Sequence, residues 1–364
     1  MCMSAETTDV GSTTRRVSRR SVLTSGTALG MTALAGCAGD GGDDSLSVAI
    51  VSSNAGFGDQ AFNDLALDGL ETAEEDFDIT VNQIEETDIA AFSDAQAEAA
   101  EAGNDLVVLV GFQHTEALTE NAPEYPDTNW MLINDNIDEP NVAGYAWANH
   151  EMSYLAGVQA GTMTTQSLSN GGNETDPDST QVGFVGGEEV PLIEAFERSY
   201  VAGVQFVNGD ASVATGYCGS FNDPAAANDV ASSQYEGGAD IVYHAAAASG
   251  SGVFDAAQSV GRLAIGVDAD QSRTLPEYSD VIVGSAVKFI NRGTYDCVEA
   301  TVNDDFGDLT GEINILGLDE EGVDLVVGRE FEGSLPDVLS RNLEEAKTAI
   351  VDGDVEVPCS ATGC

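Results

Sequence analysis

The sequence predicts an α/β protein made of two doubly wound parallel-sheet lobes with a hinge between them. Three observations lead there. From Leu46 onward, short apolar runs alternate with helical patterns of roughly 10–15 residues, the signature of βαβ units. Most of the runs are apolar at nearly every position rather than every second one, which marks strands covered on both faces. They are also too many for one comfortable sheet, and a chain of about 330 residues after the leader has room for two domains.

In chain order, the strand runs are Leu46–Val51, Ile79–Val81, Leu106–Val110, Trp130–Ile133 and Val142–Ala146, then Val182–Val185, Ser212–Tyr217, Ile241–His244, Leu263–Val267 and Val281–Val287. Helical patterns lie at about Gln60–Glu75, Ala91–Ala102, Ser153–Thr164, Leu192–Val207, Ala225–Tyr235 and Val253–Val260, with an amphipathic closing helix in Pro336–Asp352. Asn170-Gly171-Gly172-Asn173 reads as an inserted surface turn. The first lobe is expected to hold residues 46–146 and a return segment from about 291 to 330. The second is expected to hold about 147–286, with 331–364 as closing helix and tail of unassigned lobe. Three crossovers would then join the lobes.

Residues 1–36 read as an export leader. Arg19-Arg20 precedes a mildly apolar run ending Leu34-Ala35-Gly36-Cys37, the pattern of a twin-arginine signal with a lipobox. The run is too short and too rich in Ser, Thr and Gly to span a bilayer, which needs about 20 apolar residues. Cys37 is the expected lipidation site, followed by a polar tether over residues 37–45. The expected location is the extracellular face of the cell membrane.

The chain has 12 Lys+Arg against 63 Asp+Glu, a net charge of −51. Such a surface repels nucleic acid, whose binding rests on cations that neutralise phosphates. At molar salt the Debye length is about 3 Å, so a dense carboxylate shell stays soluble, as in the proteins of halophiles. Lys288 and Lys347 are the only lysines, so the place of each matters. No cysteine or histidine spacing reads as a zinc site, and no cofactor is expected. Cys218, Cys297, Cys359 and Cys364 allow three pairings, or free buried thiols.

In open parallel sheets ligands collect beyond the carboxyl ends of the strands. After the first run come Ser52–Gly58, then Asp59, with Phe62 and Asn63 in the first turn of the next helix. Later strand ends offer Asn134 and Asp135; Gly186-Gly187, with Phe196 on the following helix; Ala247, Ser249 and Gly250; Asp268; and Lys288. Taken singly, Phe62 is as ordinary in a core as in a site, and Asp268 with Lys288 can be a plain salt bridge near the hinge.

Read together, these segments resemble the basic membrane protein (BMP) family of exported lipoproteins. The anchors are Gly58-Asp59-Gln60-Ala61-Phe62-Asn63, Tyr125-Pro126-Asp127, Pro140-Asn141-Val142, the stretch Glu151–Gly157, Val182–Gly187, Ala202-Gly203-Val204, the stretch Ile265–Gln271, and Gly284–Lys288. The resemblance implies a type I periplasmic binding protein fold and a solute-binding role for an ABC importer. A nucleoside, purine in type, would lie between the lobes and pass to the permease and ATPase partners. It implies that Phe62 and Phe196 stack on the base and that Asn63, with Asn134 or Asp135, meets the base's polar edge. Asp268 would take the ribose diol, Lys288 would donate to the sugar or hold Asp268, and Ala247–Gly250 would let backbone approach the ribose. The chain departs where relatives have Asp-Lys-Ser-Phe-Asn, and where many close the fourth strand with an acidic residue; here Asn134 stands, with Asp135 one place on.

Other classes fit parts of the sequence, among them a sensor or adhesion lipoprotein of the same fold. A sugar or other solute could occupy the same fold, although a carboxylated solute would need arginines that are scarce near these loops. A nucleoside hydrolase would use Asp135, Asp268 and Asp270 as acid, base or metal ligands. Asp268 and Asp270, however, alternate along a strand end, and no hydrolase elbow or phosphate loop is present. On the nucleoside reading, Asp268→Ala should weaken nucleoside binding more than tenfold without lowering the melting temperature of the empty protein.

Overall fold

Residues 45–359 are described by the computed structural model; the twin-arginine leader, Cys37, most of the tether and Cys364 lie outside the described residues. The first half of the fold runs β1 (Leu46–Val51), α1 (Phe62–Asp76), β2 (Ile79–Ile84), α2 (Phe92–Glu101), β3 (Leu106–Leu109), α3 (Thr115–Asn121), β4 (Asn129–Ile133) and β5 (Val142–Trp147). Next come α4 (Asn149–Met163), β6 (Ser169–Asn170), β7 (Asn173–Glu174), β8 (Gln181–Gly186), α5 (Pro191–Val207), β9 (Ser212–Tyr217), α6 (Pro224–Glu236) and β10 (Ile241–Ala245). The chain closes through α7 (Ser251–Val260), β11 (Leu263–Asp268), α8 (Gln271–Thr274), β12 (Ile282–Lys288), α9 (Ile290–Val302), β13 (Asn314–Leu316), β14 (Val323–Val327) and α10 (Asp337–Val351).

Two six-stranded sheets form, in the orders β13-β5-β4-β3-β1-β2 and β14-β12-β11-β10-β8-β9. Every pairing in them is parallel except β12 with β14. The central strands are buried on both faces, which is why their sequences are unbroken apolar runs. In the first lobe α2 and α3 cover one face through Ala95, Ala99 and Leu118, and α1 packs with α9. In the second, α6 and α7 bring Ala227, Ala231, Val253 and Phe254 to one face; α4 and α5 pack together beside the other.

The chain crosses between sheets at Ala148, at Phe289 and along 317–322. Backbone bonds tie the crossings together: Ala148 N–H to Leu316 C=O at 3.0 Å and Phe289 N–H to Gly322 C=O at 2.9 Å. The Glu151 carboxylate accepts the Leu318 N–H at 2.7 Å. The expected return segment 291–330 is corrected here. It gives α9 and β13 to the first lobe, but β14 is an edge strand of the second. The antiparallel direction follows because the short 317–322 link enters the second sheet from the end at which β12 leaves it.

Helices α4 and α5 approach closely because glycines face backbone. A Cβ at Gly157 would stand 2.1 Å from the Tyr200 carbonyl oxygen, and one at Gly203 would stand 2.0 Å from that of Tyr154. The predicted turn at Gly171-Gly172 is the tip of the β6–β7 hairpin, both residues having positive φ. Cys218 and Cys297 are free thiols, and Cys359 is disulfide-bonded.

One buried carboxyl opposes the fold. Asp240, at the start of β10, is fully buried, and burial pushes its pKa up to about 6 although it accepts the Asp176 N–H. Its folded pKa lies above the unfolded value, so its stabilising contribution is complete below about pH 4 and lost as pH rises through 6. Asp240→Asn should therefore raise stability at pH 7.5 by about 2 kcal/mol. Urea melts at pH 7.5 and pH 4 are the check; a gain of equal size at both would show that ionisation is not the cause.

Candidate functional site

The carboxyl ends of both sheets face a common cavity. Its first-lobe wall is Ser53, Asn54, Ala55 and Phe62 after β1, Gly111, Phe112 and Gln113 after β3, and Asn134 after β4. The second lobe supplies Leu192, Ile193 and Phe196 from α5, Phe221 from the loop after β9, Ala245–Ala247 at and just beyond the end of β10, Val267 and Asp268 from β11, and Lys288 from β12.

Lys288 stands at the centre of the charged part. Its Nζ lies 2.8 Å from Asp268 Oδ1, and the two side chains are only 3% and 9% exposed. The same nitrogen is 4.9 Å from the Phe62 ring centroid and 5.5 Å from that of Phe196. Two rings from opposite lobes thus flank one ammonium, each within cation–π range. Their location follows from topology: Phe62 opens α1 and Phe196 lies in the second turn of α5, both just beyond strand ends.

Asn134, Ala247 and Asp268 have φ of +68°, +47° and +67°. Non-glycine residues in the left-handed region cost energy and persist where surrounding structure holds them, commonly at ligand sites. Three such residues lining one cavity is a concentration that packing alone does not require. At Asp268 the support is visible. Gln271 Oε1 accepts the Val267 N–H at 2.8 Å and lies 2.9 Å from His244 Nε2, which fixes His244 as the Nε2–H donor. Burial holds the His244 pKa down at about 4, so the ring is neutral. A Cβ at Gly250 would fall 2.0 Å from His244 Cε1, so Gly250 makes room for this ring and lies outside the cavity lining.

Of the residues read from sequence, Phe62, Asn134, Phe196, Ala247, Asp268 and Lys288 line the cavity. Asp59, Asn63, Asp135, Ser249 and Gly250 do not, and each has structural partners instead. Asp59 accepts the N–H groups of Ala61, Asn63 and Asp64 and so satisfies the free donors that open α1. Asn63 is fully buried; its Oδ1 accepts the Ser53 N–H and its Nδ2 donates to Ser53 Oγ and Asp59. Both hold the β1–α1 loop that carries Phe62. Asp135 accepts Thr115 Oγ–H at 2.7 Å and the Asn136 N–H at 2.9 Å, turned toward α3. Ser249 Oγ accepts the Asp223 N–H and donates to Ser220 C=O, fixing the loop that presents Phe221.

Sequence reading missed Gln113, Phe112, Phe221, Leu192 and Ile193. The strand-end rule applied to β3 and β9 points to Gly111–Gln113 and to the loop around Phe221, so that signal was present.

Two α/β lobes with a cavity between the carboxyl ends of their sheets, crossed by three chain segments, define a solute-binding protein. The chain matches the family described as Bmp, ABC transporter substrate-binding protein PnrA-like, over residues 46–360, and it belongs to that family. A Listeria innocua protein named CD4+ T-cell-stimulating antigen is 30% identical, covering 93% of this chain and 96% of its own. The Lactococcus lactis ABC transporter nucleoside-binding protein BmpA is 29% identical over 86% of this chain and 89% of its own. Among solved structures, an ABC transporter solute-binding protein from Aeropyrum pernix superposes with a TM-score of 0.74 at 25% identity, covering 86% of this chain and 94% of that one. The protein is thus a solute-binding component of an ABC transporter, with permease and ATPase partners and a small-molecule ligand, and not an enzyme. Among the described residues no helix is long and apolar enough to cross a membrane.

Proposed function

We propose that the cavity takes a nucleoside, purine in type, and that the protein delivers it to the importer's permease from the outer face of the membrane, tethered by a lipid on Cys37. The observation that carries this reading is the placement of Phe62 and Phe196 on opposite lobes about Lys288 and Asp268. Two rings supplied by opposite lobes suit a planar base, each stack adding about 0.5–1.5 kcal/mol beyond buried area. One carboxylate at the rim of the stack suits a vicinal diol, because it can accept from both hydroxyls. Among the described residues, the only cation lining the cavity is already neutralised by Asp268, so a phosphate or carboxylate on the solute would be buried without a counter-ion. The L. lactis relative is named for nucleoside binding, which agrees with this chemistry.

Closure follows because a solute stacked on both rings touches both lobes and favours the closed arrangement through that difference in contact. Purified protein is incubated with a nucleoside mixture, and melting temperature and nucleoside concentration are followed together. A ligand bound to the folded state alone raises stability by RT ln(1 + [L]/Kd), so an upward shift without nucleoside loss is expected. A shift with sugars alone would replace this reading with a sugar-binding one, and consumption of nucleoside would replace it with a hydrolase.

A further inference from the structure

We propose that the first-lobe wall reads a guanine-type base edge: a 6-oxo group, an N1–H and a 2-amino group in a row. This rests on the nucleoside reading above and specifies the solute further.

Three amide side chains line that wall, and no carboxylate stands among them. Asn54 follows β1, Gln113 follows β3 and Asn134 follows β4, and these strands are adjacent in the order β4-β3-β1. The amides therefore stand side by side in the sequence Asn54, Gln113, Asn134. Gln113 Nε2 donates to Asn54 Oδ1 at 3.0 Å. That bond leaves Asn54 Nδ2 free to donate and commits Gln113 Oε1 to the role of acceptor. Gln113 Oε1 and Asn134 Oδ1 are both buried, and neither has a hydrogen-bond partner. Asn134 as a whole is only 6% exposed. Gly111, at φ +110°, holds the Gln113 amide close: a Cβ there would lie 2.5 Å from Gln113 Oε1.

The wall thus presents donor, acceptor, acceptor. A buried acceptor left unpaired costs about 1–3 kcal/mol, so the solute that fits supplies acceptor, donor, donor. Guanine's edge does so through O6, N1–H and the 2-amino group. Adenine offers an amine to the Asn54 donor and a lone pair to the Gln113 carbonyl, two like-to-like contacts. Turning both amides together would suit adenine's amine and N1, but Asn134 Oδ1 would then face a C–H and stay unpaired. Uracil lacks the second donor, and cytosine, whose one donor is its 4-amino group, lacks the central N–H.

Isothermal titration of the mature protein in molar KCl with guanosine, inosine, adenosine and uridine tests this. Guanosine should bind tightest, inosine about tenfold weaker for want of the 2-amino group, and adenosine at least about a hundredfold weaker. Asn134→Gly, which keeps the left-handed backbone accessible, should bring the guanosine-to-inosine affinity ratio to about one. Adenosine or uridine binding as tightly as guanosine would overturn the base-edge assignment and leave nucleoside binding standing. So would an unchanged guanosine-to-inosine ratio in the variant. Absence of binding by all four would overturn both.

Discussion

Asp268→Ala is expected to weaken nucleoside binding by about a hundredfold and to lower the melting temperature of the empty protein by about 10 °C. The binding loss comes from two hydroxyl hydrogen bonds to a charged acceptor, each worth about 1.5–3 kcal/mol. The stability loss comes from Lys288, which is 4% exposed and holds Asp268 at 2.8 Å. Breaking a buried pair by removing one partner costs about 3–5 kcal/mol because the other charge is left uncompensated, and each kcal/mol is worth about 2–4 °C in a domain of comparable size. Alanine at φ +67° adds strain. This replaces the expectation, drawn from sequence, of an unchanged melting temperature; a burial of this depth is not legible in a one-dimensional pattern. The double variant Asp268→Asn, Lys288→Met separates the two effects, since it removes both charges. It should melt within a few degrees of wild type while binding stays lost. Wild-type melting in the single variant would show that the pair contributes nothing to the empty fold.

Gly203→Ala is the second large effect, expected to destabilise by about 2 kcal/mol. The added methyl meets the Tyr154 carbonyl oxygen at 2.0 Å and its Cα at 3.1 Å. These are backbone atoms inside α4, which cannot swing aside as a side chain can. The helices must separate, and overpacking of this kind costs about 1–3 kcal/mol or more, against a helix-propensity gain of about 1. Gly209→Ala is the control, because nothing lies within 4 Å of a Cβ there. Equal urea midpoints for the two variants would mean that α4 and α5 tolerate a wider spacing than their packing indicates.

The strands were legible because a parallel strand covered on both faces has one pattern, an unbroken apolar run, and those of β1, β3, β4, β10 and β11 are of this kind. What escaped was peripheral. Helix α3 spans seven residues with only Leu118 and Asn121 buried, too short to show a period. Helix α9, with Gly293 and β-branched Thr294, Val298 and Thr301, has weak intrinsic propensity and gains its stability from packing on α1. Strands β13 and β14 are edge strands, three and five residues long, and only partly buried. In the cavity, the strand-end rule located Phe62, Asn134, Phe196, Ala247, Asp268 and Lys288. It could not separate residues that face the cavity from those one layer behind. Asp59 and Asn63 occupy positions typical of a ligand loop, yet their polar atoms are consumed by the first turn of α1 and by Ser53. Asp135 differs from Asn134 by one residue, and the left-handed turn at Asn134 sends the two side chains to different sides.

The late arrival of β13 and β14 sets an order on biogenesis. Both sheets stay one strand short until residues 314–327 have been made, so neither half is complete before that stretch is available. Until then β5 and β12 each present an open flank of unpaired backbone, the condition under which nascent chains stick to one another. The two halves are therefore sealed by strands that lie within a few residues of each other in the chain.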